Sequence, residues 1–215
     1  MIDIVREIEA THREVAEGRI AAGVGRSVRL RRDYDAPIED VWDALTNPER
    51  IGRWFLPISG DFRLGGRYQF EGNAGGEIVA CERPNRLKVT WVYGMEGAAD
   101  VSEVEVRLSP VDGGGTRFEL AHTAVVPEDR WAEFGPGAVG VGWDGGLLGL
   151  TLHLRGGSVD DPIAWQMSEE GRAFFTRSSE AWGEANRAAG ADAEAAARAV
   201  ANTTAFYAPD PEPVP

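Results

Sequence analysis

The sequence predicts an α+β fold in which one antiparallel sheet faces a long helix. Several stretches between residues 61 and 123 alternate apolar and polar side chains with period two, and turn residues separate them. Large apolar residues then recur with helical spacing from Val139 to Leu154. Short strands joined by turns form antiparallel sheets, and an apolar helix needs another layer to cover it.

The first elements are less regular than the sheet. Residues 1–26 have a weak helical pattern that fades into glycine and alanine, so we expect a loosely held N-terminal arm. Residues 27–34 alternate as in a half-buried strand. Pro37 is predicted to start a helix whose apolar face begins at Ile38, and Asn47-Pro48 is predicted to start a second, short helix.

The sheet is predicted from six stretches and the turns between them. Gly65-Gly66 suits a hairpin, Pro84 suits a proline turn, and Gly113 lies in a glycine-rich turn. The predicted strands are 61–64, 67–71, 77–82, 87–93, 101–111 and 116–123.

The long helix contains seven glycines between Gly135 and Gly149, which we expect to let its backbone lie close to the sheet. It closes a domain predicted over residues 27–157. A helical extension is predicted over 158–207 and a disordered tail over 208–215, which is rich in proline. The second helix of the extension, Asp192–Ala205, is mostly alanine with few large apolar residues, so we expect it to pack on the domain or on a second copy of the chain, in a homodimer formed through the C-terminal helices.

The composition limits the classes of partner. The 215 residues are 43% hydrophobic and carry a net charge of −13, so we expect no nucleic-acid partner and no membrane. No signal peptide or membrane-spanning stretch is recognised, which predicts a cytoplasmic location. Cys81 stands alone and is predicted to be a small buried hydrophobe. The three scattered histidines lack ligand spacing, so no metal and no cofactor are expected.

Large side chains on the predicted inner face and the facing helices suggest a pocket for an apolar small molecule. Each of them alone is more typical of an ordinary core, but as a set they favour a cavity. The predicted lining residues are Trp54, Phe55, Phe70, Trp91, Tyr93, Phe118, His122, Trp143 and Leu147.

His122 is the candidate residue for ligand orientation or acid–base catalysis. An imidazole on an apolar face can orient a ligand carbonyl or act as a general base. The alternative is a buried histidine that is hydrogen-bonded to the backbone or to a tryptophan or tyrosine. The spacing Gly135-x-Gly137-x-x-Gly140 resembles a dinucleotide fingerprint, but no strand leads directly into it, so we reject nucleotide binding.

Five segments in this order carry a family resemblance. They are residues 34–49 with Trp54-Phe55, residues 64–68, residues 76–87 with Trp91, residues 115–122, and Gly142-Trp143. With them, the chain resembles the START-like (SRPBCC) superfamily, and within it the homologues of the activator of the 90-kDa heat-shock-protein ATPase.

The resemblance implies a helix-grip fold, in which a curved sheet wraps a long helix and leaves a cavity for apolar ligands. It spans about residues 27–154. We expect binding of a hydrophobic or aromatic small molecule without catalysis. Two alternatives stay open: a protein-interaction module resembling the heat-shock-protein ATPase activators, and a cyclase-like or hydrolytic enzyme that uses His122.

Overall fold

The structure is a computed structural model that describes residues 2–94 and 101–209, without the side chain of Val101. Its strands are β1 (His12–Ile20), β2 (Gly23–Tyr34), β3 (Ile58–Gly60), β4 (Arg67–Phe70), β5 (Gly75–Glu82), β6 (Arg86–Val92), β7 (Val101–Pro110) and β8 (Thr116–Ala124). Its helices are α1 (Ile4–Glu9), α2 (Ile38–Thr46), α3 (Pro48–Trp54), α4 (Glu128–Phe134), α5 (Gly137–Leu154), α6 (Pro162–Met167), α7 (Glu169–Ala188) and α8 (Ala193–Tyr207).

The eight strands form one antiparallel sheet in the order β1-β2-β8-β7-β6-β5-β4-β3. Strand β8 lies between β2 and β7, with His122 opposite Val28 on one side and Val104 on the other. The apolar side chains of these central strands, among them Leu30 and Phe118, are buried beneath α5. The predicted α+β helix-grip architecture, with a curved sheet around a long helix, is confirmed.

The prediction of a loose N-terminal arm over residues 1–26 is wrong. Strand β1 pairs with β2 along its whole length, from His12 opposite Arg31 to Ile20 opposite Gly23. Ahead of it, the Glu7 carboxylate binds Arg32, and Arg155 approaches it at 2.7 Å. This edge strand was not predicted because β1 carries few large apolar residues. Its stability comes from backbone pairing and buried charges.

Smaller details also differ from the prediction. Residues 61–64 are not a strand, and β3 lies just before them. Helix α4 was not predicted. The first helix of the extension divides at Ser168, whose side chain caps α7 by accepting from the Gly171 amide. Of the predicted disordered tail, Ala208 is buried against the core, while residues 210–215 lie outside the described residues.

The glycines of α5 allow other helices to pack closely on its backbone. We had expected them to allow close packing on the sheet, and the structure does not show that. A Cβ atom added at Gly140 would lie 2.2 Å from the indole of Trp182 in α7. At Gly137 it would lie 2.7 Å from the Thr203 hydroxyl in α8, and at Gly149 it would lie 2.3 Å from the Trp54 carbonyl. Three elements therefore pack directly on the α5 backbone.

A buried carboxylate joins the extension to the domain. Asp144, on α5, accepts two hydrogen bonds from Arg13 of β1, at 2.9 and 3.0 Å. It also accepts from the Ser178 hydroxyl at 2.5 Å and from the Trp182 indole at 3.0 Å, both on α7. Phe174, Phe175 and Trp182 of the extension are buried within one chain, whereas Ile163, Met167 and Phe206 are exposed. The homodimer stays a prediction.

Candidate functional site

Two spaces lie between the sheet and α5. The inner cavity has a volume of about 160 Å³ and is lined by α2, α3, strands β4–β8 and α5. The cleft has a volume of about 560 Å³ and is bounded by β2, the end of β8, α4, α5 and the last residue of α8. The inner cavity is almost wholly apolar, whereas the cleft carries more polar groups, and both open to solvent to a similar degree.

Three aromatic side chains separate the two spaces and line both of them. This aromatic wall consists of Phe55, Trp91 and Trp143. The Phe55 and Trp143 rings are stacked at an angle of 7° with their centroids 6.4 Å apart. The Trp91 and Trp143 rings lie 5.1 Å apart. Because the three residues come from the end of α3, from β6 and from α5, the wall exists only in the folded chain.

A chain of hydrogen bonds fixes the wall from the cleft side. The Trp143 indole N–H donates to His122 Nδ1 at 3.0 Å. That bond assigns the histidine proton to Nε2, which donates to the Ser102 hydroxyl at 2.7 Å. The Ser102 hydroxyl in turn donates to the Trp91 carbonyl at 2.8 Å. One histidine and one serine thereby hold both tryptophans of the wall.

Burial lowers the pKa of His122 to about 4. The ring is therefore neutral at physiological pH, as its acceptor role toward Trp143 requires. A general base needs a free lone pair within reach of its substrate. The Nδ1 lone pair is occupied, so the geometry matches a buried histidine bonded to a tryptophan.

The structure divides the predicted lining residues between the two spaces. The inner cavity receives Trp54, Phe55, Phe70, Trp91, Phe118, Trp143 and Leu147. The cleft receives Phe55, Trp91, Tyr93, His122 and Trp143. Tyr93 follows the end of β6 and is 63% exposed, so it lies at the rim of the cleft and away from the inner face on which it was predicted.

Cys81 is exposed, which corrects the prediction that it is buried. The register of β5 shifts between Ile78 and Ala80, so the alternation of the sequence does not continue to the end of the strand. Within the described residues, no group of three histidine, cysteine or acidic side chains could hold a metal ion. No helix there is long and apolar enough to cross a membrane.

Several cleft residues were missed by the sequence analysis, because they lie at the ends of predicted elements or on α4, which was not predicted. Arg26, before the predicted first strand, places its guanidinium 4.5 Å from the centroid of the Trp131 ring on α4. Tyr207, at the end of α8, donates from its hydroxyl to the Ala138 carbonyl at 2.8 Å and stacks on Phe175. The spacing of Trp131 and Phe134 after Pro127 was the one sequence signal for α4.

The sequence profile of one family, described as "Activator of Hsp90 ATPase homolog 1-like protein", matches residues 35–153. The chain belongs to this family. Its expected place in the START-like (SRPBCC) superfamily is thereby confirmed. The comparison with curated proteins found no match.

Solved structures of this superfamily resemble the chain beyond the matched residues. The crystal structure of CalU16 from Micromonospora echinospora is 37% identical and covers 83% of this chain and 99% of its own, with a TM-score of 0.68. The solution structure of CalU16 gives 40% identity, a TM-score of 0.69, and coverage of 83% and 96%. MLL2253 from Mesorhizobium loti is 26% identical and covers 61% of this chain and 97% of its own, with a TM-score of 0.52.

Proposed function

We propose that the protein binds an apolar small molecule with an aromatic body in the cleft, against the aromatic wall. The observation that carries this proposal is the continuous hydrogen-bond chain from Trp143 through His122 and Ser102 to the Trp91 carbonyl. It leaves aromatic faces at the deep end of the cleft and satisfies the polar atoms between them. An apolar ligand that covers such a surface gains free energy by burying apolar area. A polar ligand group would find no free hydrogen-bond partner there.

The sizes of the two spaces favour the cleft as the principal site. Small-molecule pockets have volumes of roughly 300–1,000 Å³. The cleft, at about 560 Å³, lies within that range, whereas the inner cavity of about 160 Å³ suits a single ring at most. The ligand body therefore belongs in the cleft, with the inner cavity as space behind the wall.

We also propose that this binding occurs without catalysis by His122. Both nitrogens of its ring are engaged, and burial lowers its pKa to about 4. Its contacts hold the wall in place, which is a positioning role. The enzyme alternative would require His122 to release Trp143 before it could accept a proton.

Native mass spectrometry of the protein purified from its natural source tests the binding proposal. The variant Ala138→Phe places a ring in the cleft from an exposed position on α5. Its matched control, Ala197→Phe, makes the same change on the exposed face of α8. We expect a stoichiometric apolar molecule on the wild type and on Ala197→Phe, and its loss from Ala138→Phe. An apo mass, together with no thermal shift from a library of aromatic compounds, would contradict binding and favour the interaction-module alternative.

A further inference from the structure

We propose that the ligand of the cleft carries an anionic group, such as a carboxylate, at the end that faces solvent. This inference rests on the proposed binding function and names the class of molecule bound. Its basis is the distribution of charge around the cleft, which runs against the charge of the chain as a whole.

Two arginines line the cleft of an acidic protein. The chain has 35 acidic and 22 basic residues. Arg26 and Arg130 line the cleft, and no aspartate or glutamate of the described residues does. An opening lined by charge of one sign attracts ligands of the opposite sign and raises their local concentration.

Arg130 is available to a ligand. It lies on α4, is exposed, and makes no ion pair with any residue that the structure describes. Arg26 also lines the cleft, lies over the Trp131 ring and is bound to Glu128 at 2.8 Å. Both hydrogen bonds to Glu128 come from the Arg26 Nη2 atom, and within the described residues its Nε and Nη1 atoms have no hydrogen-bond partner. Guanidinium groups bind carboxylates through paired hydrogen bonds.

The deep end of the cleft fixes the direction of the ligand. The donors there are already engaged, because Trp143 bonds His122, His122 bonds Ser102 and Ser102 bonds the Trp91 carbonyl. A carboxylate placed among them would lose its hydration without gaining a partner. The apolar end therefore enters first, and the anion stays at the mouth beside Arg130.

A matched pair of probes tests this inference. 2-Naphthoate and 2-naphthamide share one aromatic body and differ in charge, and isothermal titration calorimetry at low salt measures both. We expect 2-naphthoate to bind about fivefold more tightly than the amide, as an exposed ion pair allows. The variant Arg130→Gln should bring the two affinities close to equality by lowering the affinity for 2-naphthoate. Arg177→Gln, an equal change of net charge on the exposed face of α7, should keep the preference.

Three results would overturn the inference, and they are distinguishable. Equal affinity of the wild type for both probes would refute the anionic ligand and leave the apolar binding function standing. If the wild type, Arg130→Gln and Arg26→Gln all prefer 2-naphthoate over 2-naphthamide to the same degree, the cleft arginines do not bind the anionic group. Binding of neither probe would refute the anionic ligand and the proposed function together.

Discussion

At the scale of residues, His122 shows what a sequence pattern predicts and what it omits. Alternation along the strand placed it correctly on the inner face with Phe118 and Leu120. It could not supply the partners, because Trp143 lies on a helix 21 residues further on and Ser102 lies on the neighbouring strand. The choice between a base and a structural histidine depended on those partners alone.

The first prediction concerns the pH dependence of stability. Burial lowers the His122 pKa from 6.5 to about 4. Between these two pH values, the histidine is therefore protonated in the unfolded chain and neutral in the folded chain. Stability should therefore fall as the pH drops from 6.5 toward 4, by about 2 kcal/mol between pH 7 and pH 5 from this residue. Urea unfolding across this range measures the effect.

Two variants test whether His122 causes this pH dependence of stability. His122→Gln should be less stable at pH 7 and show a flatter dependence on pH between 7 and 5. His12→Gln, at an exposed position, should keep the dependence of the wild type. The account of His122 is wrong if its replacement leaves the slope unchanged.

At the scale of elements, α5 was predicted from the spacing of its large apolar residues, and α4 and β1 were not predicted. The spacing identified the helix because the period of side chains depends on local geometry. The role of its glycines depended on contacts from Trp182 and Thr203, which follow them by more than 40 residues. Composition alone did not distinguish a sheet from a helix as the neighbour.

The second prediction tests the close contact between α5 and α7. Gly140→Ala places a Cβ atom 2.2 Å from the fully buried Trp182 indole, so we expect a loss of about 2 kcal/mol in the free energy of unfolding. Gly142→Ala is the control, since its Cβ meets only the flexible end of the Tyr207 side chain, with the hydroxyl at 3.1 Å. The free energy of unfolding of the control should be close to that of the wild type, because alanine favours a helix by about 1 kcal/mol over glycine and this gain offsets the contact with Tyr207. Equal stability of the two variants would contradict the contact.

At the scale of the whole molecule, the extension is part of the fold. The domain was predicted to end at residue 157, where two glycines follow the long helix, and the family resemblance ended at about residue 154. The structure instead packs α7 and α8 on α5 and bonds α7, through Asp144, to β1 at the other end of the chain. A contact between the first strand and the extension has no local signal, so the sequence could not predict it.

The third prediction tests this junction. Asp144→Asn removes the charge that faces Arg13 in a buried site, so we expect a loss of about 3 kcal/mol in the free energy of unfolding. Asp160→Asn makes the same change at an exposed position and should have little effect. Chemical denaturation at pH 7 measures both. If Asp144→Asn is as stable as its control, the extension is not held through this carboxylate.

The most direct test of the central claim is an ¹H–¹⁵N spectrum of the indole N–H groups of the seven tryptophans during titration with neutral 2-naphthamide. Binding against the aromatic wall should shift the signals of Trp91, Trp131 and Trp143, which line the cleft. The signals of Trp165 and Trp182, which pack within the extension, should stay in place. An unchanged spectrum, or shifts confined to Trp165 and Trp182, would contradict the binding of an apolar molecule in the cleft.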